Sequence, residues 1–204
     1  MSKDLTQVLA NYRDGKMVIV TDHEGRENEA DLVMAAEFAD QEKIAFMIRY
    51  TSGVICVALT ADRARELQLP QMVANNEDKK STAFTVSVDY KVGLTTGISA
   101  KERASTIVSL ASPTIMSSDL IRPGHVFPLV AHKNLLKSRL GHTEAAIALS
   151  MLTGRRLVGV IAELVNDDGS MMKGAELKVF SENHGIPIIS IADLVNIPLP
   201  QSIN

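Results

Sequence analysis

Seven short runs rich in apolar and β-branched residues recur along the chain: MVIV, DLVMAA, VICVALT, AFTVSVDY, VFPLVA, RLVGVIAELV and PIISI. Stretches of helical patterning separate them, and that alternation restricts the fold to a sheet with helices packed on it. MSKDLTQVLANYRDG places Leu5, Val8, Leu9 and Tyr12 on one face of an amphipathic helix, which Gly15 would end. Asp40 is placed to cap a helix carrying Ile44, Met47 and Ile48 that ends near Gly53. Ser99 and Glu102 form a capping box for a helix that Pro113 stops. With 204 residues, 46% of them hydrophobic, the chain is expected to fold as one α+β domain over residues 1–204, a mixed sheet surrounded by helices. NNEDKKS (75–81) reads as a mobile surface loop.

Several function classes drop out. A net charge of −3 with no basic stripe argues against a nucleic-acid partner, and no apolar run is long enough for a membrane span. Cys56 is the sole cysteine, so no internal disulfide can form, which fits a reducing compartment. The N-terminus lacks the apolar core of a signal peptide. A cytoplasmic enzyme or binding protein remains.

The stretch DHEGRENEADLV (22–33) crowds Asp22, Glu24, Glu27, Glu29 and Asp31 around Arg26. A solvated loop is the plain reading. However, apolar runs bracket the stretch on both sides, and carboxylates held together raise one another's pKa unless a cation or a proton-transfer task occupies them. In GHTEAAIALSMLTG (141–154), Gly, His and Thr precede a helical run that Thr143 is expected to cap. Such a start, with Arg139 two residues before Gly141, suits a phosphate as well as it suits an ordinary capped helix. RPGHVFPL (122–129) puts His125 after an expected Pro-Gly turn. Glu163 interrupts an apolar strand, so it must lie at the strand's end, on an exposed face or in a site that compensates its desolvation. TTGISAKERAST (95–106) can bind an anion or only cap, and Cys56 can be a buried small hydrophobe.

Together these parts suit a metal-dependent phosphosugar enzyme. RENEAD, AFTVSVD, TTGISA, PGHVFPL, RLGHTEA and the Glu of IAELVNDDG occur in the order that resembles the 3,4-dihydroxy-2-butanone 4-phosphate synthases of riboflavin biosynthesis, over nearly the whole chain. The resemblance implies a homodimer with shared active sites that converts ribulose 5-phosphate into 3,4-dihydroxy-2-butanone 4-phosphate and formate. It implies magnesium, with manganese as an alternative, and no organic cofactor. By the same resemblance, Glu27 and His142 are the metal ligands. Arg26, Glu27, Asp31 and Glu163 contact substrate, and Arg139, Leu140, Gly141, His142 and Thr143 take its phosphate end. His125 and Glu163 are needed for activity, with Asp31 and Cys56 as further acid/base candidates. An imidazole ligand also suits zinc, whereas hard oxygen ligands favour magnesium.

The sequence departs from the family's pattern near these positions. His23 and Gly25 stand in the acidic stretch, Ala30 replaces a Gly, and Asn134, Leu135, Leu136 and Lys137 replace Gly-Gly-Val-Leu. The chain is expected to act without the fused cyclohydrolase found in some relatives. Two other readings are a sister enzyme acting on another phosphosugar, which the altered 134–137 loop motivates, and a catalytically silent protein that binds a phosphorylated ligand.

Overall fold

In the computed structural model, which describes residues 3–200, the apolar runs form one seven-stranded sheet. The strands are β1 (Val18–Thr21), β2 (Ala30–Ala35), β3 (Cys56–Leu59), β4 (Val88–Tyr90), β5 (Leu120–Val130), β6 (Val158–Glu163) and β7 (Ile188–Ser190). Their order across the sheet is β4-β5-β3-β6-β2-β1-β7. The β3–β5 and β1–β7 pairs are parallel and the rest antiparallel, so the sheet is mixed as expected.

Strand alternation gives the sheet two apolar faces, each covered by helices. On one face Val33, Ala35, Ala58, Leu129 and Ile161 pack with side chains of α1 (Lys3–Arg13), α5 (His142–Thr153) and α7 (Ile191–Val195). On the other, Leu32, Met34, Val57, Leu59 and Val160 pack with α2 (Gln41–Tyr50), α3 (Ala61–Glu66), α4 (Ala100–Ala111) and α6 (Gly174–His184). α5 is buried along most of its length, and the Tyr12 hydroxyl of α1 reaches its Ser150 Oγ at 2.8 Å.

The expected signals at the ends of α1, α2 and α4 hold. Asp40 and Ser99 accept the Lys43 and Glu102 N–H groups, and Gly15 takes a φ of +74° after α1. Ala111 is the last residue of α4, two before Pro113.

Two strand expectations need correction. RPGH is not a turn: Arg122, Pro123, Gly124 and His125 lie inside β5. Gly124 is required for space, since a Cβ there would lie 2.0 Å from the Val88 carbonyl carbon and 2.3 Å from the Asp89 nitrogen. A Pro-Gly pair read only for its bending tendency hides this close approach of the neighbouring strand. AFTVSVDY, in turn, is not one strand. Only Val88–Tyr90 joins the sheet as a strand, and Phe84 and Thr85 make isolated bridges.

The exposed 75–81 segment is fastened at its end. Lys80 Nζ donates to the Arg26 carbonyl at 2.6 Å, and the Lys80 carbonyl accepts from Arg139 Nε at 3.2 Å.

Candidate active site

The acidic stretch is the loop of the β1–β2 hairpin, and Asp22 organises it. The Asp22 side chain is 1% exposed. Its Oδ2 accepts from Arg26 Nη1 and the Glu27 N–H, each at 3.0 Å, and its Oδ1 accepts from the Glu29 N–H at 2.9 Å. Burial alone would raise its pKa, but these hydrogen bonds outweigh burial and hold it below the ordinary value. Asn28 turns the chain with a φ of +57°, a left-handed conformation that Asn tolerates better than most residues. Glu27 makes a close contact with Arg26 Nη1. Glu24 is exposed, whereas Glu29 is half-buried and its pKa is raised by burial and by Glu27, Glu163 and Asp22.

Sheet parity brings the remaining groups to the same place. Asp31 and Glu163 are directly paired across β2 and β6, Cys56 faces Ile161 across β3 and β6, and all four share the face that α5 covers. Asp31 is 2% exposed, and its Oδ1 has no hydrogen-bond partner among the described residues. Burial, then Glu163, Glu29, Glu27 and Asp22, push its pKa well above the carboxylate range. Ser52 Oγ donates to Glu163 Oε2 at 2.6 Å. The Cys56 thiol is pushed up by burial and by Glu163 and Asp31, so it stays protonated at neutral pH.

α5 supplies the opposite wall. Thr143 is not its cap: Gly141 is the N-cap, and among the described residues no side-chain cap hydrogen bond forms there. The N–H groups of the first turn therefore stay available to an anion. A Cβ on Gly141 would lie 2.2 Å from Arg139 Nη1 and 2.7 Å from Glu144 Oε2, so any larger residue here would push that side-chain pair aside. Arg139 donates to Glu144 Oε2 at 2.7 Å and to Thr82 Oγ1 at 3.0 Å. His142 is buried, with Nε2 3.2 Å from the Val20 carbonyl and Nδ1 3.6 Å from Asp31 Oδ1. Burial, only partly opposed by Asp22, lowers the imidazole to about 4. The His142–Asp31 contact therefore joins a neutral ring to a carboxyl group that favours its proton, and it is not an ion pair.

A hollow of about 130 Å³ collects Arg26, Glu27, Asp31, Cys56, Arg139, His142, Thr143 and Glu163. Ligand atoms of Asp22, Glu27 and His142 lie within 4.8 Å of one another, close enough to share one ion. Two carboxylates and a neutral imidazole fit a divalent cation, and the orphaned Asp31 Oδ1 beside them fits a substrate hydroxyl or a metal-bound water. A hollow of about 640 Å³ elsewhere is larger but lacks carboxylates, being lined by residues 133–137, Met151 and 194–200. The replaced glycines at 134–137 thus face that hollow rather than the acidic one. Leu135 there adopts a φ of +48° that glycine would take without strain. Ala30 heads β2 and has no positive φ, so glycine is not needed there.

Leu140 and Gly141 do not line the acidic hollow, and Leu140 is 52% exposed. His125 does not line it either. His125 shares the sheet face of Leu129, which does, but stands four residues away along β5, roughly 13 Å at strand spacing. Sequence reasoning missed the roles of Asp22, Ser52, Asp89 and Glu144. Only Asp22 left a signal, as the first residue past a strand and four before an Arg.

The sequence model of a family described as 3,4-dihydroxy-2-butanone 4-phosphate synthase matches residues 6–197. The 3,4-dihydroxy-2-butanone 4-phosphate synthase of Candida albicans is 51% identical over 192 residues, covering 94% of each chain. The riboflavin biosynthesis protein RibBA of Salinispora arenicola is 51% identical over 191 residues, which make up 94% of this chain and 46% of that protein. Among solved structures, a 3,4-dihydroxy-2-butanone 4-phosphate synthase in complex with two magnesium ions superposes with a TM-score of 0.90 at 42% identity, covering 93% of this chain and 94% of the other. The Candida albicans enzyme superposes with a TM-score of 0.87 at 50% identity, covering 94% and 95%.

Proposed function

The chain belongs to the 3,4-dihydroxy-2-butanone 4-phosphate synthase family, and from that premise we propose that it converts ribulose 5-phosphate into 3,4-dihydroxy-2-butanone 4-phosphate and formate, as a step of riboflavin biosynthesis. The observation that carries this reading is the meeting of Asp22, Glu27 and His142 ligand atoms within 4.8 Å, beside the hollow that also holds Asp31, Glu163 and Arg139. The two products together contain the same atoms as the substrate, so the reaction needs no redox partner and no organic cofactor.

Magnesium, with manganese as an alternative, would be held by Glu27 and His142 with Asp22 beside them. An ion held there would supply Lewis-acid polarisation that makes a C–H beside a substrate carbonyl more acidic. The protein's own groups do the rest. Arg139 and the uncapped first turn of α5, from Gly141 to Thr143, hold the phosphate, with Leu140 supplying backbone at the rim. Arg26 braces Asp22 and Glu27 and faces the substrate's polar end. Burial and the surrounding carboxylates favour the protonated form of Asp31, and a cation beside it would favour the carboxylate, so this group is suited to take up and return protons as the charge around it changes. Glu163, oriented by Ser52, handles the substrate hydroxyls on the opposite side. Cys56 keeps its proton and can only donate it, so it serves as a weak donor or as a wall and not as a base.

His125 completes the site as a reacting group from a second copy of the chain in a homodimer, which the approximately 13 Å strand offset within one chain favours. The 1–204 chain is a single catalytic domain in this reading. Its lone cysteine fits the cytoplasm, and among the described residues no helix is long and apolar enough to cross a membrane. The test is a proton and carbon NMR time course with ribulose 5-phosphate, first with magnesium and then with excess chelator. Formate and the four-carbon phosphate should accumulate only with the metal. Unchanged substrate in both tubes, from folded protein, would sink this reading and favour another phosphosugar.

A further inference from the structure

We infer that Asp89 is a positioning residue for His125: it fixes the proton on Nδ1 and so leaves Nε2 as the nitrogen that exchanges protons with substrate. This rests on the reading of His125 as a reacting group. Asp89 is 3% exposed, and both of its oxygens are committed to one partner. Oδ1 accepts from the His125 backbone N–H at 2.9 Å, and Oδ2 stands 2.7 Å from His125 Nδ1. A carboxylate can only accept hydrogen bonds, so Nδ1 must carry the hydrogen that joins them. In the neutral ring, Nε2 then holds the lone pair. The side chain of His125 is 41% exposed, and among the described residues no hydrogen bond engages Nε2. One ring nitrogen is therefore held by a buried acid, and the other faces outward.

Several features of the chain serve this contact. The β4–β5 register shifts between Val88 and Asp89, an irregularity of the kind that re-aims a strand side chain. Gly124 lets β4 approach β5 closely, as described above. Gly97, in the TTGISA stretch, has a φ of +84°, and a Cβ there would lie 2.2 Å from Asp89 Oδ2 and 2.6 Å from His125 Nδ1. Any other residue would be driven into the carboxylate–imidazole contact. The TTGISA segment thus has a task besides capping α4, since its glycine closes over the pair.

The discriminating variant is Asp89→Asn, which keeps the size and shape of the side chain. Its Oδ1 would still accept from the His125 backbone N–H, and this turns the amide nitrogen toward Nδ1. An amide nitrogen can only donate, so Nδ1 would become the acceptor and the ring proton would move to Nε2. Three measurements together test the proposal. Long-range proton–nitrogen NMR of the wild-type protein should show His125 protonated at Nδ1 in its neutral form, and Asp89→Asn should reverse this. The kcat of Asp89→Asn should fall by about 10³- to 10⁴-fold, as it does when a carboxylate that orients a catalytic histidine becomes an amide, with KM changed by less than about threefold. His125→Gln should be at least as impaired.

A wild-type ring protonated at Nε2 would overturn the proposal without any variant. So would Asp89→Asn with normal kcat while His125→Gln is inactive, or a fall in kcat with the tautomer unchanged. Full activity in His125→Gln would instead remove the underlying reading of His125.

Discussion

Glu27 and His142 reach the candidate ion from opposite sides of the hollow, one from the β1–β2 loop and one from the first turn of α5. Glu27→Gln and His142→Ala should each lower magnesium-dependent turnover by at least about 100-fold, because the ion supplies several kcal/mol of charge stabilisation. Circular dichroism should show both variants folded, and a variant with normal rates would leave the ligand set. Asp31 gives a prediction of opposite sign for stability. Its pKa in the fold lies above its unfolded value, so its contribution is fully present below about pH 4 and is lost as pH rises through the folded pKa. Asp31→Asn removes that loss. With chelator present, it should raise the stability of the metal-free protein at neutral pH by on the order of 1 kcal/mol while abolishing turnover. Denaturant titrations across pH check this, and a less stable Asp31→Asn would show that the carboxyl is better accommodated than its orphaned oxygen implies. At this scale the sequence revealed which acids were present but not which were buried. Asp22 and Asp31 differ from the exposed Glu24 only through hydrogen bonds and strand parity that appear once the hairpin has formed.

The element scale explains both the legible parts and the misread ones. Caps and apolar periodicity are local, so Asp40, Ser99 and Gly15 announced the ends of their helices correctly. Pro123 and Gly124 misled because their reason is non-local: Gly124 makes room for the backbone of β4, which lies across the sheet rather than along the chain. Gly141 shows the same logic at the start of α5, where the glycine accommodates the Arg139–Glu144 pair. Gly141→Ala should displace Arg139 and raise the KM for ribulose 5-phosphate about tenfold or more, with a smaller change in kcat, because phosphate binding is lost before chemistry is. Glu144→Ala should cost about 3–5 kcal/mol of stability, the usual consequence of leaving a buried charge without its partner. Steady-state kinetics and urea unfolding separate the two effects. A Gly141→Ala enzyme with unchanged KM would place the phosphate elsewhere.

On the scale of the whole molecule, the geometry divides the proposed machinery between two places. Asp22, Glu27, Asp31, His142 and Glu163 gather around one hollow, whereas His125, held by Asp89, stands apart on the edge side of β5, next to β4 at the end of the sheet. A monomer that keeps both sets needs a large movement of β5, which is paired with β3 along its C-terminal half and cannot move alone. The proposed two-fold dimer, in which each copy would offer its His125 to the other's hollow, asks for no such movement. This arrangement makes a quantitative prediction. Glu27→Gln and His125→Gln homodimers should each be nearly inactive. When the two are unfolded and refolded together in equal amounts, half of the dimers are mixed. In each mixed dimer one site carries both substitutions and the other carries neither, so the mixture should recover about a quarter of wild-type turnover. No recovery, in a mixture shown by mass spectrometry to contain mixed dimers, would mean that His125 and Glu27 act within one chain. Recovery near a quarter would require that they do not, since no site within a single chain of either variant is complete.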